Sequence, residues 1–185
     1  ILSAALSVLV DCLSQYDRNN GKWLSIRSYI FNDLNTVICE GKHKGYSALW
    51  YLLFYYKGRQ LLITDVDLRE RITAEGLNSV ITEGDAKGHT MLLCLVSSAE
   101  GRQLLITDAV LRGKITAEGL NSVITEGDVK GHSVLIYLVG SAEGQQLLTD
   151  DAVLRGKITV EGLNAVITER EDEGESALWY LAGSS

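Results

Sequence analysis

The sequence predicts an all-α protein in which tandem repeats stack into a solenoid. Three sets of residues recur at a constant step of 43 positions. They are the isoleucines Ile38, Ile81, Ile124 and Ile167, the glycines Gly45, Gly88, Gly131 and Gly174, and the Leu-Asn pairs that end at Asn35, Asn78, Asn121 and Asn164. Such a period is typical of solenoids, in which each unit buries its apolar face against its neighbours. Proline, which interrupts helices, is absent from the chain.

At this period the 185 residues hold about 4.3 units. We interpret residues 1–185 as a single repeat domain. Its units cover 2–44, 45–87, 88–130 and 131–173, with a partial unit at 174–185. Because the chain starts with Ile1 and stops one helix into a fifth unit, we expect a fragment of a longer protein, with Trp179 and Tyr180 partly exposed.

Hydroxyl residues precede the helical segments of the third unit, as N-caps do. Thr90 comes before a first helix, Ser98 before a second over 99–106, and a last helix covers 116–124. Residues 107–111 form a further turn or helix. We therefore expect three short helices per unit, with a fourth as the alternative. Strands are expected at most as short extended pieces at the turn between units.

Two recurrent residue types have a structural interpretation. The last helix of a unit contains a glycine, as at Gly119, although glycine costs about 1 kcal/mol relative to alanine there. This predicts close packing of backbones between units, but the first unit has Asp33 instead. The repeated asparagine, as at Asn78, can satisfy backbone groups in the turn of the next unit. The alternative is that these asparagines bind the backbone of a ligand.

Charge and cysteine usage exclude several classes of protein. The net charge is −7 and no basic stripe is present, which disfavours binding to nucleic acid or to an anionic membrane. The most apolar window, 48–56, is far shorter than the roughly 20 residues that span a bilayer. Cys12, Cys39 and Cys94 share no repeat position, so neither a disulfide framework nor a zinc site is expected. We predict an intracellular protein, located in the cytoplasm or in a host cytosol.

Catalytic patterns are missing as well. The sequence contains no G-x-S-x-G, Walker or dinucleotide-binding glycine motif. Cys39 and His43 are the one local pair of a thiol and an imidazole, and nothing near them activates the thiol. His89 and His132 are equivalent turn residues without converging metal ligands. We therefore predict a non-enzymatic protein without cofactor or metal.

The unit resembles the ankyrin repeat. Residues 85–92, and their copy at 128–135, are similar to its turn and first-helix motif, D-x-x-G-x-T-x-L, and residues 99–105 are similar to its second helix. The period is 43 instead of about 33, the proline after the threonine is missing, and the helix at 116–124 has no ankyrin counterpart. The resemblance implies an ankyrin-like unit with an added helix. It extends loosely to the ankyrin-type effectors that intracellular bacteria deliver into host cells.

Armadillo and HEAT repeats are the second resemblance, because their units span about 40–47 residues. The tripeptides at 48–50 and 177–179 are similar to the A-L-W of the third armadillo helix. The asparagine with which armadillo repeats hold extended peptides is replaced by Phe54, Ser97, Gly140 and Gly183. We therefore do not expect this chain to hold extended peptides as armadillo repeats do.

The positions that differ between units indicate where a function could lie. Residues 81–123 and 124–166 differ at eleven of 43 positions, and five of these lie in the first helix. There a variable stripe at 90, 93, 94 and 97 runs beside a constant one at 92, 95, 96 and 99. Aromatic residues on a solenoid face suit partner recognition. The candidate partner-binding residues are Trp50, Tyr51, Phe54, Cys94, Ile136, Tyr137, Trp179 and Tyr180.

In the alternative interpretation this stripe belongs to the core between units, and its residues differ because they pack against neighbouring units whose sequences have diverged. For the whole chain we expect a protein-interaction module with a protein or peptide partner. The alternative is a structural spacer that positions a separate catalytic domain. The sequence leaves the oligomeric state open.

Overall fold

The all-α prediction is confirmed. The computed structural model describes residues 2–14, 21–125, 129–167 and 174–183. Over these ranges the regular structure consists of fifteen helices. Isolated antiparallel bridges join Val80 to Thr90, Val123 to Ser133 and Val166 to Ser176. These extended pairs lie at the turns between units, where short extended pieces were expected.

The described residues of each of the three middle units form four short helices. The helices of residues 45–87 are α3 (Ala48–Phe54), α4 (Tyr56–Thr64), α5 (Val66–Glu70) and α6 (Ala74–Asn78). Those of 88–130 are α7 (Met91–Val96), α8 (Ala99–Thr107), α9 (Ala109–Gly113) and α10 (Ala117–Asn121). Those of 131–173 are α11 (Val134–Val139), α12 (Ala142–Asp150), α13 (Ala152–Arg155) and α14 (Val160–Asn164). The partial unit contributes α15 (Ala177–Gly183).

The first unit departs from this pattern. Its described residues form two helices of 13 residues each, α1 (Leu2–Ser14) and α2 (Gly21–Asp33). The expectation of three or four short helices is therefore wrong for the described residues of the first unit, 2–14 and 21–44. The capping residues that divide the later units are missing here, since Lys22 and Ile30 stand where Asp65 and Thr73 begin new helices in the second unit.

Side-chain caps explain why the middle units break into four helices. In the third unit, the backbone N–H of Leu93 donates to Thr90 Oγ1 (2.9 Å), and that of Gly101 donates to Ser98 Oγ (3.1 Å). Asp108 Oδ1 accepts from the N–H of Leu111 (2.9 Å) and so starts α9, the segment for which the sequence predicts a turn or a helix. Each cap satisfies an N–H that a helix start leaves without a partner.

The turn between units requires its glycine. At the start of the third unit, the N–H of Gly88 donates to Ile81 O and that of Ile81 donates to His89 O, both at 2.8 Å. Gly88 has a φ of 88°, in the left-handed region that side chains disfavour. The left-handed φ explains why Gly88 recurs at the 43-residue step, whereas Ile81 recurs because its side chain is buried.

Equivalent helices of consecutive units pack side by side. The first helices α3, α7, α11 and α15 contact one another in that order, as do the second helices α4, α8 and α12. Leu49, Leu92 and Leu135, at the same position of three first helices, are fully buried. The core therefore runs along the stack instead of lying inside each unit.

Asparagine side chains join each unit to the next. Asn78 Nδ2 donates to the carbonyls of Ala74 (2.6 Å) and Lys114 (2.9 Å), while Oδ1 accepts from the N–H (3.3 Å) and hydroxyl (3.1 Å) of Thr116. Asn121 bonds Lys157 O and the Thr159 N–H in the same way. Asn35 likewise bonds Arg71 O and the Thr73 N–H. We call Asn35, Asn78 and Asn121 the asparagine ladder.

The ladder also explains the recurrent glycine of the last helix. A Cβ placed on Gly119 would lie 1.9 Å from Asn78 Oδ1, and one on Gly162 would lie 2.1 Å from Asn121 Oδ1. The close approach is therefore to the preceding unit's asparagine side chain, and not to its backbone as the sequence predicted.

Ion pairs form a second link between units. Arg69 Nε lies 2.8 Å from Asp108 Oδ2, and Arg112 Nε lies 2.7 Å from Asp151 Oδ2. Arg112 also donates through Nη1 to the carbonyls of Leu105 and Ile106, which end α8. Because these side chains are less than one fifth exposed, solvent screens them less than a surface pair.

Candidate partner-binding groove

The eight predicted partner-binding residues do not form one exposed face. Trp50, Tyr51 and Ile136 are buried, with 8%, 7% and 4% of their surface exposed. These three follow the alternative interpretation, inter-unit core. Phe54 and Trp179 are more than half exposed. Cys94, Tyr137 and Tyr180 are half-buried.

Helix α3 buries Trp50 and Tyr51 because it is contacted from several sides, by α1, α4 and α7. The ring of Trp50 stacks on that of Phe54, with centroids 4.7 Å apart, and also packs on Tyr46 at 4.5 Å. The Tyr51 hydroxyl lies 2.6 Å from His43 Nδ1. Burial raises the pKa of Tyr51 to about 12, so this hydroxyl is protonated at neutral pH.

The exposed part of the variable stripe lines a groove of about 330 Å³ that spans three units. Phe54 belongs to the second unit, Cys94 to the third and Tyr137 to the fourth. The remaining lining residues are Leu53, Arg59, His89, Leu93, Ser97, Ser98 and Val129. We refer to this site, from Phe54 to Tyr137, as the groove. Three of the predicted residues that differ between units therefore come together.

Arg59 fixes one wall of the groove. Its Nη1 donates to the carbonyls of Leu53 and Phe54, both at 2.8 Å, and so ties down the end of α3. Its Nε lies 3.6 Å from Glu100 Oε2 of the next unit. The exposed ring of Phe54 is thus held in place by its own backbone and by its stacking on Trp50.

The groove suits an apolar side chain better than a reaction. Leu93, which is almost fully buried, lies among the lining residues together with the aromatic side chains of Phe54 and Tyr137. Burial raises the pKa of the Cys94 thiol to about 12, so it remains protonated and is a poor nucleophile at neutral pH. Histidine and serine side chains supply polar groups around this apolar surface.

Cys39 and His43 hydrogen-bond to other groups and not to each other. Both ring nitrogens of His43 have partners, Tyr51 Oη at Nδ1 and Ser7 Oγ at Nε2 (2.9 Å). Cys39 is exposed, and its thiol donates weakly to Val37 O (3.8 Å). Burial, followed by the charge of Lys42, lowers the pKa of His43, so the imidazole is neutral near pH 7.

Sequence reasoning missed several residues of the groove. Arg59 could have been found, because its register position is Arg102 in the third unit and Gln145 in the fourth, another difference between copies. His89 and Val129 lie in turns outside the variable stripe. Val129 could have been found in the same way as Arg59, because its counterpart in the second unit is Ala86, whereas His89 recurs as His132 and no difference between copies pointed to it. A second cleft of about 470 Å³, lined by Arg27, Phe31 and Arg71 with two carboxylates, was also missed. Arg27 and Phe31 belong to the irregular first unit, whereas Arg71 belongs to the second unit and has Lys114 and Lys157 at the same register position.

The described part of the chain contains no group of three or more histidine, cysteine, aspartate or glutamate residues that could hold a metal ion. Across the same residues, no helix combines the length and apolarity needed to cross a bilayer. Comparisons with protein-family models, with curated proteins and with solved structures gave no match to this chain.

Proposed function

We propose that this chain is a tandem-repeat solenoid and that it binds one protein or peptide partner in the groove. One observation carries the proposal: residues that differ between units converge at the groove, whereas the residues that join units are repeated. Cys94 and Tyr137 occupy the same register position of α7 and α11 and both line the groove. An unchanging role in packing would not require them to differ so much in size.

The chemistry of the groove favours a partner with an apolar anchor. A partner side chain placed between Phe54 and Tyr137 would cover an exposed aromatic surface, and aromatic residues dominate the binding energy of protein interfaces. The volume of about 330 Å³ accommodates one or two side chains. The unit is proposed to be ankyrin-like, with two short helices added after its first pair.

A structural spacer that positions a separate catalytic domain is the second candidate. The asparagine ladder and the ion pairs of Arg69 and Arg112 favour it, because they link successive units through several polar contacts at once. In this function the groove has no occupant. Binding measurements at the groove therefore separate the two proposals.

The test is a selection of peptides that bind the protein, followed by affinity measurements on variants. Phe54→Ser and Tyr137→Ala remove the two aromatic walls, and we expect each to weaken selected peptides by about tenfold or more, as hot-spot losses do. Val110→Ser is the matched control, because Val110 is an apolar residue that is also more than half exposed and does not line the groove. It should leave affinity unchanged.

Peptides that bind Phe54→Ser and Tyr137→Ala as tightly as the unmodified protein, while circular dichroism shows both variants folded, would contradict the groove as the binding site. If the affinity of no selected peptide depends on Phe54, the spacer function is favoured. Trp50→Ala is unsuitable for this test. Removing so large a buried ring costs about 3–5 kcal/mol of stability, so lost binding would not identify a contact.

A further inference from the structure

The last helix, α15, leaves uncovered a face that is buried in every earlier unit. Leu49, Leu92 and Leu135 are fully buried, whereas Leu178 at the same register is 49% exposed. Trp179 is 54% exposed, although its counterpart Ile136 is buried. Two large apolar side chains thus lie side by side at this end of the stack.

Arg155 and Asn164 occupy the positions of the residues that link earlier units. Among the described residues, neither bonds to a following unit. Arg155 has the register of Arg69 and Arg112, and its Nη1 donates to the carbonyls of Leu148 and Thr149 as theirs do to equivalent carbonyls. No carboxylate among the described residues pairs with it, and it is exposed. Asn164 Nδ2 donates to Val160 O in its own helix (2.9 Å), and its Oδ1 accepts from no described residue.

We propose that Arg155, Asn164, Leu178 and Trp179 form a docking surface for a polypeptide unit with the pattern D-x-x-L-R-x-[RK]-I-T. The pattern occurs at residues 65–73, 108–116 and 151–159. In the third and fourth units its aspartate accepts from the preceding unit's arginine, and in all three its threonine N–H donates to the preceding asparagine. The surface thus presents the donor and the acceptor that this pattern matches.

A second copy of the chain does not match the surface at its own first unit. Lys22 and Ile30 stand where the pattern has Asp65 and Thr73. A head-to-tail contact would set a lysine in the place of the aspartate opposite Arg155, and like charges repel. The occupant is therefore a unit of the stated pattern and not the beginning of another copy. None of the four surface residues lines the groove, so the proposal is independent of the proposed function.

The test supplies such a unit in register. Ser184 is equivalent to Ser98 and Ser141, so the sequence of residues 99–140 is attached directly after it. This segment brings copies of Asp108 and Thr116 and contains no tryptophan. We expect the extended protein to melt at a higher temperature, because a stacked unit adds an interface. We also expect Trp179 emission to shift to shorter wavelength and to resist quenching by acrylamide, with a Trp179→Phe variant identifying its signal.

Asn164→Ala provides the matched comparison. In the original chain it removes one bond within α14, so its melting temperature should change little. In the extended protein it should remove most of the gain, because the bonds to the new turn are lost. Equal effects of Asn164→Ala in both proteins, or unchanged quenching of Trp179, would overturn the proposal. Concentration-dependent dimers of the original chain that bury Trp179 would also overturn it, because they would make a second copy the occupant.

Discussion

Neighbouring units meet on two sides, and the two sides differ in what repeats. On one side Asn78 and Asn121 make the same bonds to the same register positions of the following unit. On the other side, at the groove, the equivalent residues are Cys94 in one unit and Tyr137 in the next. The hydrogen bonds of the ladder side are therefore the same between successive units, whereas the residues of the groove side differ from one unit to the next.

The largest expected effect on this comparison comes from cutting the ladder. Asn78→Ala removes four hydrogen bonds of about 1 kcal/mol each, and water replaces part of them, so we expect a loss of about 3 kcal/mol. For a protein of this size the melting temperature should fall by about 6–12 °C. The matched control, Asn164→Ala, should cost much less. Equal losses of stability at both positions would contradict the claim that the bonds of the ladder between units stabilise the fold.

Filling the space beside the ladder has the next largest effect. Gly119→Ala places a methyl group 1.9 Å from Asn78 Oδ1, and we expect overpacking to cost about 2 kcal/mol despite the better helix propensity of alanine. Gly113→Ala is the control, because no atom lies within 4 Å of its added Cβ. There the propensity gain, at most about 1 kcal/mol, should prevail. Urea denaturation of both variants gives the comparison, and a stabilised Gly119→Ala would contradict the close approach.

Acid should weaken the ion-pair link. The N–H of Leu154 and the guanidinium of Arg112 hold the pKa of Asp151 below its usual value. Its contribution to stability is therefore present above about pH 4, the pKa of an unfolded aspartate, and is lost as the pH falls below that. Asp151→Asn should cost about 1 kcal/mol at pH 7, and the difference from the unmodified protein should shrink towards pH 3. A difference that stays constant with pH would show that the charge of Asp151 is unimportant.

The groove side should give the smallest change in stability. Phe54 is 56% exposed, so Phe54→Ser should change the free energy of unfolding by no more than about 0.5 kcal/mol, measured by urea denaturation. Val110→Ser should behave in the same way. A loss above 2 kcal/mol in Phe54→Ser alone would mean that the ring is needed for packing, and the contrast between the two sides would disappear.

Much of the framework that repeats from unit to unit could be predicted from the sequence, because its residues act through local chemistry. Thr90 and Ser98 cap helices as their type suggests, and Gly88 takes the left-handed conformation of a turn. The bonds of Asn78 to the turn of the next unit could also be predicted, since its amide both donates and accepts. The contact between Gly119 and the Asn78 side chain could not be predicted, because a small residue indicates a close approach but does not identify the atom that approaches.

The groove side was predicted only in part. A helical wheel distinguishes the faces of one helix, but it does not show that α3 is contacted from several sides, and so Trp50 and Tyr51 were placed among the candidate binding residues. Phe54 stays exposed because it lies at the end of α3. The form of the first unit was not predictable from copies, since residues 2–33 share little with the later units.

The central claim is that the 43-residue unit is the structural element of a solenoid, and deletion tests it most directly. Removal of residues 88–130 joins the second unit to the fourth and brings Asn78 to the turn of Lys157 and Thr159, which already accepts an asparagine. Circular dichroism should then show the same helical content per residue and a cooperative melt, whereas removal of residues 88–107 should abolish both. Equal loss of helix and cooperativity in the two deletions would contradict the account.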